Sequence, residues 1–343
     1  MSDVGMLDTS SVVRIPVGNG PITDIDVSPD GARLYVTNYG HDSASVVDTR
    51  TGRVVETIRG LSEPSAIALS GEGPARAYVL TARAAYDAID VIDAATNRVV
   101  ATHRLALSVS DMAVSADGQS LFVCRNGAPG ADVAVLDSAG ATRAVVELAT
   151  VPGTTAEFVR ISADGTRLYV GTNGPCGGRI VVIDPRARPA RGGPRVVDVV
   201  DLGLPVRDLA LSADGGTAYV ASYGPVVGAV LDVIDTGNRK IVTTRKIGEI
   251  TGVLTRLALS RDGNRAYLLS EDAITVVSSR TQDVIDDVRV TAHPSAVVES
   301  PDGRSLYIAD HGGMVTVASS VPAPGREPSL ARREPAPHEA ALV

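Results

Sequence analysis

Short apolar runs alternate with turn residues along almost the whole chain. Residues 21–60, for example, contain ITDIDVS, RLYVTN, ASVVD and RVVETI, and each run is bounded by Gly, Pro, Asn or Asp. Runs this short, and this rich in β-branched and aromatic residues, are typical of strands, whereas helices would need apolar residues at helical spacing. This part of the chain therefore predicts four strands joined by turns.

A turn signal followed by a strand recurs seven times. The first copy, SPDGARLYVTNYG, begins at Ser28, and its Pro-Asp-Gly sequence favours a tight reversal of the chain. We call the first residue of each copy the repeat serine; the others are Ser70, Ser115, Ser162, Ser212, Ser260 and Ser300. The turn glycines lie 40 to 50 residues apart, and a period of that length indicates a propeller, a solenoid or a repeat array.

The content of each period decides among these architectures. The second period contains SAIALS, AYVL, IDVID and RVVATH, and the fifth contains DLALS, AYVAS, LDVID and KIVTTR. Strands of about five or six residues plus their turns fill such a period. The sequence therefore predicts an all-β fold, a seven-bladed β-propeller of four-stranded antiparallel blades, in which each sheet buries both faces against its neighbours.

The two ends of the chain share the last blade. The seventh period offers only three apolar runs, AVVES, SLYIAD and MVTVASS, while an extra run, VVRIPVG, precedes the first period. We expect residues 12–17 to pair with residues 314–319, so that the N-terminal strand completes the last blade, closes the ring and removes exposed sheet edges. The predicted units are a flexible N-terminus (1–11), the propeller (12–320) and a disordered tail rich in proline and charge (321–343).

Composition adds expectations about partners and location. The net charge is −8 and no basic cluster interrupts the repeats, so we do not expect nucleic-acid binding. The chain has neither an apolar run of membrane-spanning length nor a signal-like start, which predicts a cytoplasmic protein without a membrane span. Cys124 and Cys176 fall in different blades, and we expect two buried or half-buried thiols rather than a disulfide framework. We also expect a monomer.

The residues YVTN at positions 35–38 resemble the signature of the bacterial YVTN-repeat β-propellers, and the other copies carry the variants AYVL, LFVC, LYVG, AYVA, AYLL and LYIA. The resemblance extends over nearly all of the predicted propeller and implies that fold. For function it implies several alternatives, because this group and its lactonase-like relatives include surface-layer and adhesion proteins, a DNA-binding member and sugar-lactone hydrolases. The fold by itself does not decide among them.

Four aromatic residues remain once one aromatic residue per blade is assigned to core packing. They are Tyr39, Tyr86, Phe158 and Tyr223. In an up-and-down blade, the loops between the second and third strands lie on the same face as the loops that enter the first strand. We call this the loop face, and we call the opposite face, which carries the SPDG-type turns, the turn face. All four aromatic residues map to or near the loop face, which we therefore expect to be the binding face.

Three histidines map to the loop face as well. His41 and His311 have equivalent places in the first and seventh blades, and His293 enters the seventh blade. Ring closure would make these blades neighbours, so the imidazoles, with a carboxylate such as Asp24, could hold a divalent metal. The alternative is three exposed imidazoles that point in different directions.

The mouth of the axial channel is a further candidate site. Residues four or five positions before each repeat serine should approach the axis, and the blades differ there in charge and size. They include Thr23, Asp24, Ser65, Ser110, Asp111, Glu157, Arg207, Asp208, Arg256 and Ser295. These side chains could hold a polar small molecule, a metal or a peptide terminus, or they could close the channel as a network of ion pairs and trapped water.

Two functions fit these residues. The first is a recognition or scaffold protein that binds a protein, a peptide or a small polar ligand through the loop face and the axial funnel. Its expected ligand contacts are Tyr39, His41, Asp24, Tyr86, Phe158, Asp208, Tyr223 and Ser295.

The second is a lactonase-like hydrolase or lyase that acts at the channel mouth, with or without a metal. Glu157 or Asp111 would act as the base or as a metal ligand, and His293 or His41 as an acid or base. Arg207 or Arg256 would stabilise an oxyanion. We favour the first function, because the chain has no nucleophile elbow, HExxH motif or phosphate-binding glycine loop.

Overall fold

The computed structural model describes residues 8–18, 20–71, 75–105, 108–128, 130–149, 151–186, 193–250, 252–289 and 293–320. These residues form seven four-stranded antiparallel sheets, built from 28 strands. The fold is therefore the all-β, seven-bladed propeller that the sequence predicts. Residues 1–7, within the predicted flexible N-terminus, and the predicted tail at 321–343 lie outside the described residues.

The first strand of the chain belongs to the last blade, and the next three blades follow in sequence order. The first strand is β1 (Asp8–Pro16). Blade 1 consists of β2 (Ile22–Val27), β3 (Arg33–Asn38), β4 (Ser43–Asp48) and β5 (Arg53–Arg59). Blade 2 consists of β6 (Pro64–Leu69), β7 (Arg76–Arg83), β8 (Tyr86–Asp93) and β9 (Arg98–Leu105). Blade 3 consists of β10 (Ser108–Val114), β11 (Ser120–Gly127), β12 (Gly130–Asp137) and β13 (Thr142–Ala149).

The remaining blades repeat this order. Blade 4 consists of β14 (Thr155–Ile161), β15 (Leu168–Gly174), β16 (Gly177–Asp184) and β17 (Arg195–Asp201). Blade 5 consists of β18 (Val206–Leu211), β19 (Thr217–Gly224), β20 (Gly228–Asp235) and β21 (Lys240–Ile247). Blade 6 consists of β22 (Leu254–Leu259), β23 (Arg265–Ser270), β24 (Ile274–Ser278) and β25 (Val284–Val288). Blade 7 consists of β26 (Pro294–Glu299), β27 (Ser305–Asp310), β28 (Met314–Ser319) and β1.

Helix is scarce in this fold. A 3-10 helix of three residues, Tyr39–His41, connects β3 to β4. Within the described ranges, no helix has the length and apolar character needed to cross a membrane.

The repeated turn between the first and second strands is held by the side chains of the sequence motif. In blade 1, the Ser28 hydroxyl donates to Asp30 Oδ1 at 2.6 Å and accepts the backbone amide of Arg33 at 2.9 Å. The Ser28 hydroxyl, followed by the backbone amide of Ala32, lowers the pKa of Asp30. Gly31 has a φ of 72°, a left-handed conformation that costs glycine little. The same serine-to-aspartate bond recurs in blades 3 to 7.

The aromatic residue of each second strand packs between neighbouring blades. Tyr35, Tyr78 and Tyr267 are at most 1% exposed. Several of their hydroxyls also reach the next blade: Tyr78 Oη donates to the backbone oxygen of Gly118 at 3.3 Å. Blade 3 carries Phe122 at this position and so has no hydroxyl to donate. These residues are core, as the sequence analysis expects.

The two chain ends meet in blade 7. Strand β1 pairs antiparallel with β28, with Val13 opposite Val317 and Pro16 opposite Met314. Ile15 packs in one apolar cluster with Ile25 of blade 1 and Ala296 of blade 7. The pairing predicted for these segments is therefore present. Strand β1 begins at residue 8 rather than at residue 12, so residues 8–11, expected to be flexible, belong to the strand.

The two cysteines differ in environment. Cys124 is buried in β11, and burial raises the pKa of its thiol. Cys176 is exposed in the turn between β15 and β16. The expectation of two buried or half-buried thiols is therefore wrong for Cys176, because its turn projects beyond the sheet.

Deletion of residues 1–18 should strongly destabilise the protein. The deletion removes Ile15 and Val17, which are 2% and 5% exposed, and it leaves β28 as an unpaired edge. Two buried aliphatic side chains contribute about 3–6 kcal/mol. We expect the melting temperature in differential scanning calorimetry to fall by about 10 °C or more. Deletion of residues 321–343 is the control and should leave it nearly unchanged; an unchanged melt for the N-terminal deletion would contradict the proposed role of β1.

Candidate ligand-binding site at the channel mouth

A β-bulge interrupts the first strand of every blade at the same place. The ladder between the first and second strands shifts between Val109 and Asp111 in blade 3 and between Val206 and Asp208 in blade 5. The other blades have an equivalent shift. In a bulge the extra residue is released from the ladder, and bulges frequently occur next to functional sites, where they redirect a side chain.

The bulged residues form a polar ring at the loop-face end of the first strands. We call this ring the channel mouth; its members are Thr23, Ser65, Ser110, Glu157, Arg207, Thr255 and Ser295. Ser110, Arg207 and Thr255 are exposed, whereas Ser295 is only 8% exposed. The ring therefore presents hydroxyl groups and two opposite charges rather than an apolar surface.

Some hydroxyls of the channel mouth bind neighbouring blades. Thr23 Oγ1 donates to the backbone oxygen of Pro64 at 2.7 Å, and Ser110 Oγ donates to that of Ala156 at 2.6 Å. Ser295 Oγ is buried and has no hydrogen-bond partner among the described residues. Arg207 forms no ion pair within the described ranges. Arg207 is thus the cation of this ring that is available to a ligand.

Carboxylates lie one position further along the strand in alternating blades. Asp24, Asp111 and Asp208 belong to blades 1, 3 and 5. Each accepts a backbone amide from the next blade, at 3.1 Å in all three cases; the donors are Ile67, Val159 and Leu257. These aspartates therefore join neighbouring first strands across three of the blade interfaces.

Arg160 of blade 4 connects two of these carboxylates. Its guanidinium donates to Asp111 Oδ2 and to Asp208 Oδ1, each at 2.6 Å. Burial alone would lower the pKa of Arg160, but Asp208 and Asp111 more than offset that effect and raise it. The guanidinium is therefore a permanent positive charge that spans blades 3, 4 and 5.

Arg256 of blade 6 reaches across blade 7 to blade 1. It lies 3.6 Å from Asp24 Oδ1 and donates to the backbone oxygen of Thr23 at 3.4 Å. Burial raises the pKa of Asp24, and Arg256 partly offsets this rise. Together with Arg160 and its partners, this pair forms a charged layer below the channel mouth, which we call the floor: Asp24, Asp111, Arg160, Asp208 and Arg256.

Asp26 lies beyond the floor, and no cation of the described part of the chain forms an ion pair with it. Its carboxylate accepts the amides of Leu69 of blade 2 and of Val27, both at 2.8 Å. Burial raises the pKa of Asp26 to about 7, although the two amide bonds act in the opposite direction. Near neutral pH this carboxyl group is therefore partly protonated.

The four aromatic residues expected on the binding face have different surroundings. Tyr39 is 42% exposed and its hydroxyl donates to Glu63 Oε2 at 3.3 Å. Tyr86 is half-buried against Arg104, whose guanidinium carbon lies 4.6 Å from the ring centre. Tyr223 is half-buried against the core of blade 5.

Phe158 is 3% exposed and takes the place that the aspartates of the floor have in other blades. Its ring fills the space above Gly171, where an added Cβ would lie 2.2 Å from the ring. Phe158 therefore has almost no surface for a ligand, and Tyr39 is the most exposed of the four.

The predicted site residues near the axis fall into two groups. Asp24, Asp111, Asp208 and Arg256 come together with one another in the floor, while Glu157, Arg207 and Ser295 belong to the channel mouth. His41, His293 and His311 are all exposed, and His311 donates its backbone amide to His293 O at 3.1 Å. Among the described residues, no three His, Cys, Asp or Glu side chains are placed to hold a metal ion.

Three further residues of this region are not among those predicted from the sequence. Arg160 and Asp26 lie two positions before the repeat serine, where most blades have alanine, and Thr255 is the bulged residue of blade 6. The signal for Arg160 and Asp26 was present in the sequence, because both are charged exceptions at an otherwise small position. Thr255 lies five positions before Ser260 and fits the rule that found the other members of the ring.

Comparisons with known proteins agree with this architecture. No protein-family model matches the chain. A seven-bladed β-propeller protein of Mycobacterium tuberculosis, Rv1057, is 50% identical over 357 aligned positions, which cover 96% of this chain and 91% of that protein. The chain therefore belongs to the family of seven-bladed β-propeller proteins that includes Rv1057. The YVTN signature stays a resemblance.

A solved structure supports the fold at lower identity. A chain of the hydrazine synthase of Kuenenia stuttgartiensis superposes with a TM-score of 0.76 and is 20% identical. The match covers 92% of this chain and 98% of that one. At this identity the likeness shows the propeller fold alone.

Replacement of Arg160 by methionine should cost about 3–5 kcal/mol, because it leaves the mostly buried carboxylates of Asp111 and Asp208 without their cation. Urea unfolding at pH 7 measures this loss. Arg245→Met is the matched control, since Arg245 pairs with Asp283 at 2.7 Å but both side chains are more than a third exposed. The control should cost no more than about 1 kcal/mol. Equal losses in the two variants would contradict the role of Arg160 as a bridge.

Replacement of Asp26 by asparagine should change how stability depends on pH. The pKa of Asp26 is about 7 in the folded protein against an ordinary value of 3.8. At a pH between these two values, Asp26 is deprotonated in the unfolded chain but still protonated in the folded protein. The free energy of unfolding therefore falls as the pH rises from about 4 to 7, and above 7 this contribution no longer changes. The asparagine variant lacks this loss. Its stability relative to the parent should therefore rise over the same window and level off above it; a flat or falling difference would refute the raised pKa.

Proposed function

We propose that this protein is a recognition propeller that binds a polar ligand bearing a carboxylate, such as a peptide terminus or a small organic acid, at its channel mouth. The observation that carries the proposal is the ring of bulges. Seven extra residues at one register, all of them polar, lie at the same end of the first strands. Core packing alone does not call for a polar residue at every one of these positions.

The floor gives this ring a rigid base. Arg160 and Arg256 hold three aspartates in place, and those aspartates also accept amides from neighbouring blades. A ligand at the mouth would therefore meet a preorganised surface, and preorganisation lowers the entropic cost of binding.

Arg207 determines the ligand chemistry that we propose. Its side chain is exposed, and its guanidinium offers a planar pair of donors that matches the geometry of a carboxylate. Glu157, the bulged residue of the neighbouring blade, accepts the hydroxyl of Thr155 at 2.5 Å. It can also bind hydroxyl or ammonium groups of the same ligand. The exposed ring of Tyr39 adds a contact for a larger partner such as a protein.

The lactonase-like alternative has less support. Of the residues that it would use, Asp111 and Arg256 take part in the ion pairs of the floor. A base or an oxyanion donor has to be free to change its contacts during the reaction, whereas these groups join blades. Glu157, Arg207 and the histidines His41 and His293 lie outside these ion pairs, so the alternative would rest on these residues alone.

Replacement of Arg207 by glutamine should weaken ligand binding. The probe is a pool of fluorescein-labelled tetrapeptides with free C-terminal carboxylates, and its binding is followed by fluorescence polarisation. A charge-assisted hydrogen bond contributes about 1.5–3 kcal/mol, so the variant should bind about 10-fold to 100-fold more weakly than the parent. The same pool with amidated C-termini should bind weakly to both proteins.

The control for this experiment is Arg53→Gln, which removes an exposed arginine from an outer strand. This variant should bind the free-carboxylate pool like the parent. If the parent retains no peptide, or if Arg207→Gln binds as well as the parent, the proposed ligand class is wrong.

A further inference from the structure

A cavity of about 900 Å³ opens on the turn face between blades 3 and 4. Its apolar lining comes from both blades: Phe122, Val135, Ala144, Ile161, Pro185 and Pro194. Arg143 and Arg186 line it as well, together with the turn aspartates Asp117 and Asp164. The cavity lies on the face opposite the channel mouth, so it is a separate site.

The cavity coincides with a break in the repeat. At other interfaces the tyrosine of the second strand extends a hydroxyl to the next blade. Tyr78 Oη donates to Gly118 O at 3.3 Å, and Tyr219 Oη donates to Ser279 O at 3.4 Å. Blade 3 has Phe122 in this place, so the interface with blade 4 lacks the bridging hydroxyl. The interface between blades 3 and 4, which lacks this bridge, contains the cavity of about 900 Å³.

The described ends of a longer connection line the same cavity. In blade 4, β16 ends at Asp184 and β17 begins at Arg195, which leaves ten residues between them. In blade 5 the equivalent connection, between Asp235 and Lys240, has four. The described ends of the longer connection, Pro185–Arg186 and Gly193–Pro194, line the cavity. This interface therefore departs from the repeat in two respects: it has phenylalanine in place of tyrosine in its core, and the connection between β16 and β17 is longer.

The polar groups at the rim of the cavity favour a ligand that accepts hydrogen bonds. Arg143 pairs with Asp137 at 2.5 Å, and Arg186 donates to the backbone oxygen of Asp164 at 3.1 Å. Each guanidinium carries five N–H donors, so both retain donors for a ligand.

The carboxylates at the rim are already engaged. Asp117 accepts the Ser115 hydroxyl and the Gln119 amide, and Asp164 accepts the equivalent groups of Ser162 and Thr166. These bonds hold the two turns, so the unused hydrogen-bonding capacity at the rim comes mainly from the arginines.

We propose that this cavity binds a small amphipathic anion, with its apolar body against Phe122 and Ile161 and its carboxylate, sulfonate or phosphate group at Arg143 and Arg186. The volume lies within the range of about 300–1,000 Å³ that is typical of sites for small ligands. Its lining combines apolar side chains with polar and charged groups, which suits a ligand that has both an apolar body and a charged group.

The probe for this site is 8-anilinonaphthalene-1-sulfonate, an aromatic sulfonate whose fluorescence rises in apolar surroundings. The parent protein should bind it saturably with a stoichiometry of about one. Phe122→Tyr restores the hydroxyl of the other blades and narrows the cavity. It should weaken binding about 10-fold or more, a change of about 1.4 kcal/mol, without lowering the melting temperature.

Two further variants test the two halves of the proposal. Ala144→Leu fills the cavity from the other side and should also weaken binding, which keeps the test informative if Phe122→Tyr folds poorly. The double variant Arg143→Gln, Arg186→Gln should lose affinity for the sulfonate about 10-fold, yet it should bind the neutral N-phenyl-1-naphthylamine like the parent.

Tyr78→Phe is the matched control, because it removes a bridging hydroxyl at the interface of blades 2 and 3. It should leave binding of the sulfonate unchanged. Three outcomes would overturn the proposal: no saturable binding by the parent, equal binding by the cavity-filling variants, or equal loss in the Tyr78→Phe control. Unchanged sulfonate affinity in the double arginine variant would refute the anionic class of ligand.

Discussion

A four-stranded sheet with two apolar faces is stable in water only if both faces are covered, and a closed ring of such sheets covers every one of them. Each blade of this protein therefore depends on its neighbours. The dependence extends to polar groups near the axis, where Asp24, Asp111 and Asp208 each accept a backbone amide from the following blade. Arg160 then joins blades 3 and 5 through blade 4. The charged side chains near the axis therefore connect neighbouring blades. A ligand that binds there would meet a region that these contacts already order.

Local chemistry explains why so much of the architecture could be predicted from the sequence. The SPDG-type turn needs only its own serine, aspartate and glycine, and the structure shows these side chains in the expected roles. Strand length and apolar pattern then determine the blade, and the period determines the ring. The missing strand of the last period was visible as an extra strand at the start of the chain.

The details of the site depend on register and packing, which no local pattern contains. The bulges exist because the first and second strands shift by one residue, and this shift is a property of the pair. Phe158 looked available in the sequence, yet its ring lies over Gly171, a residue on the neighbouring strand. Arg160 and Asp26 occupy a position that is alanine in most blades, so the repeat pattern assigns that position to packing and does not mark the two charged residues.

The pairing of β1 with β28 gives this protein an order of events during synthesis. The strand that completes the last blade is made before the other strands of the propeller, and its partner β28 is made after them, about three hundred residues later. Contacts between such distant parts of a chain form slowly, because a long loop has to close before they contribute free energy. While the ribosome produces the intervening blades, β1 stays unpaired, and pairing with another exposed strand edge would be an error of folding. The last blade can therefore form only after β28 has been made, because a chain that is truncated before β28 leaves β1 without its partner strand.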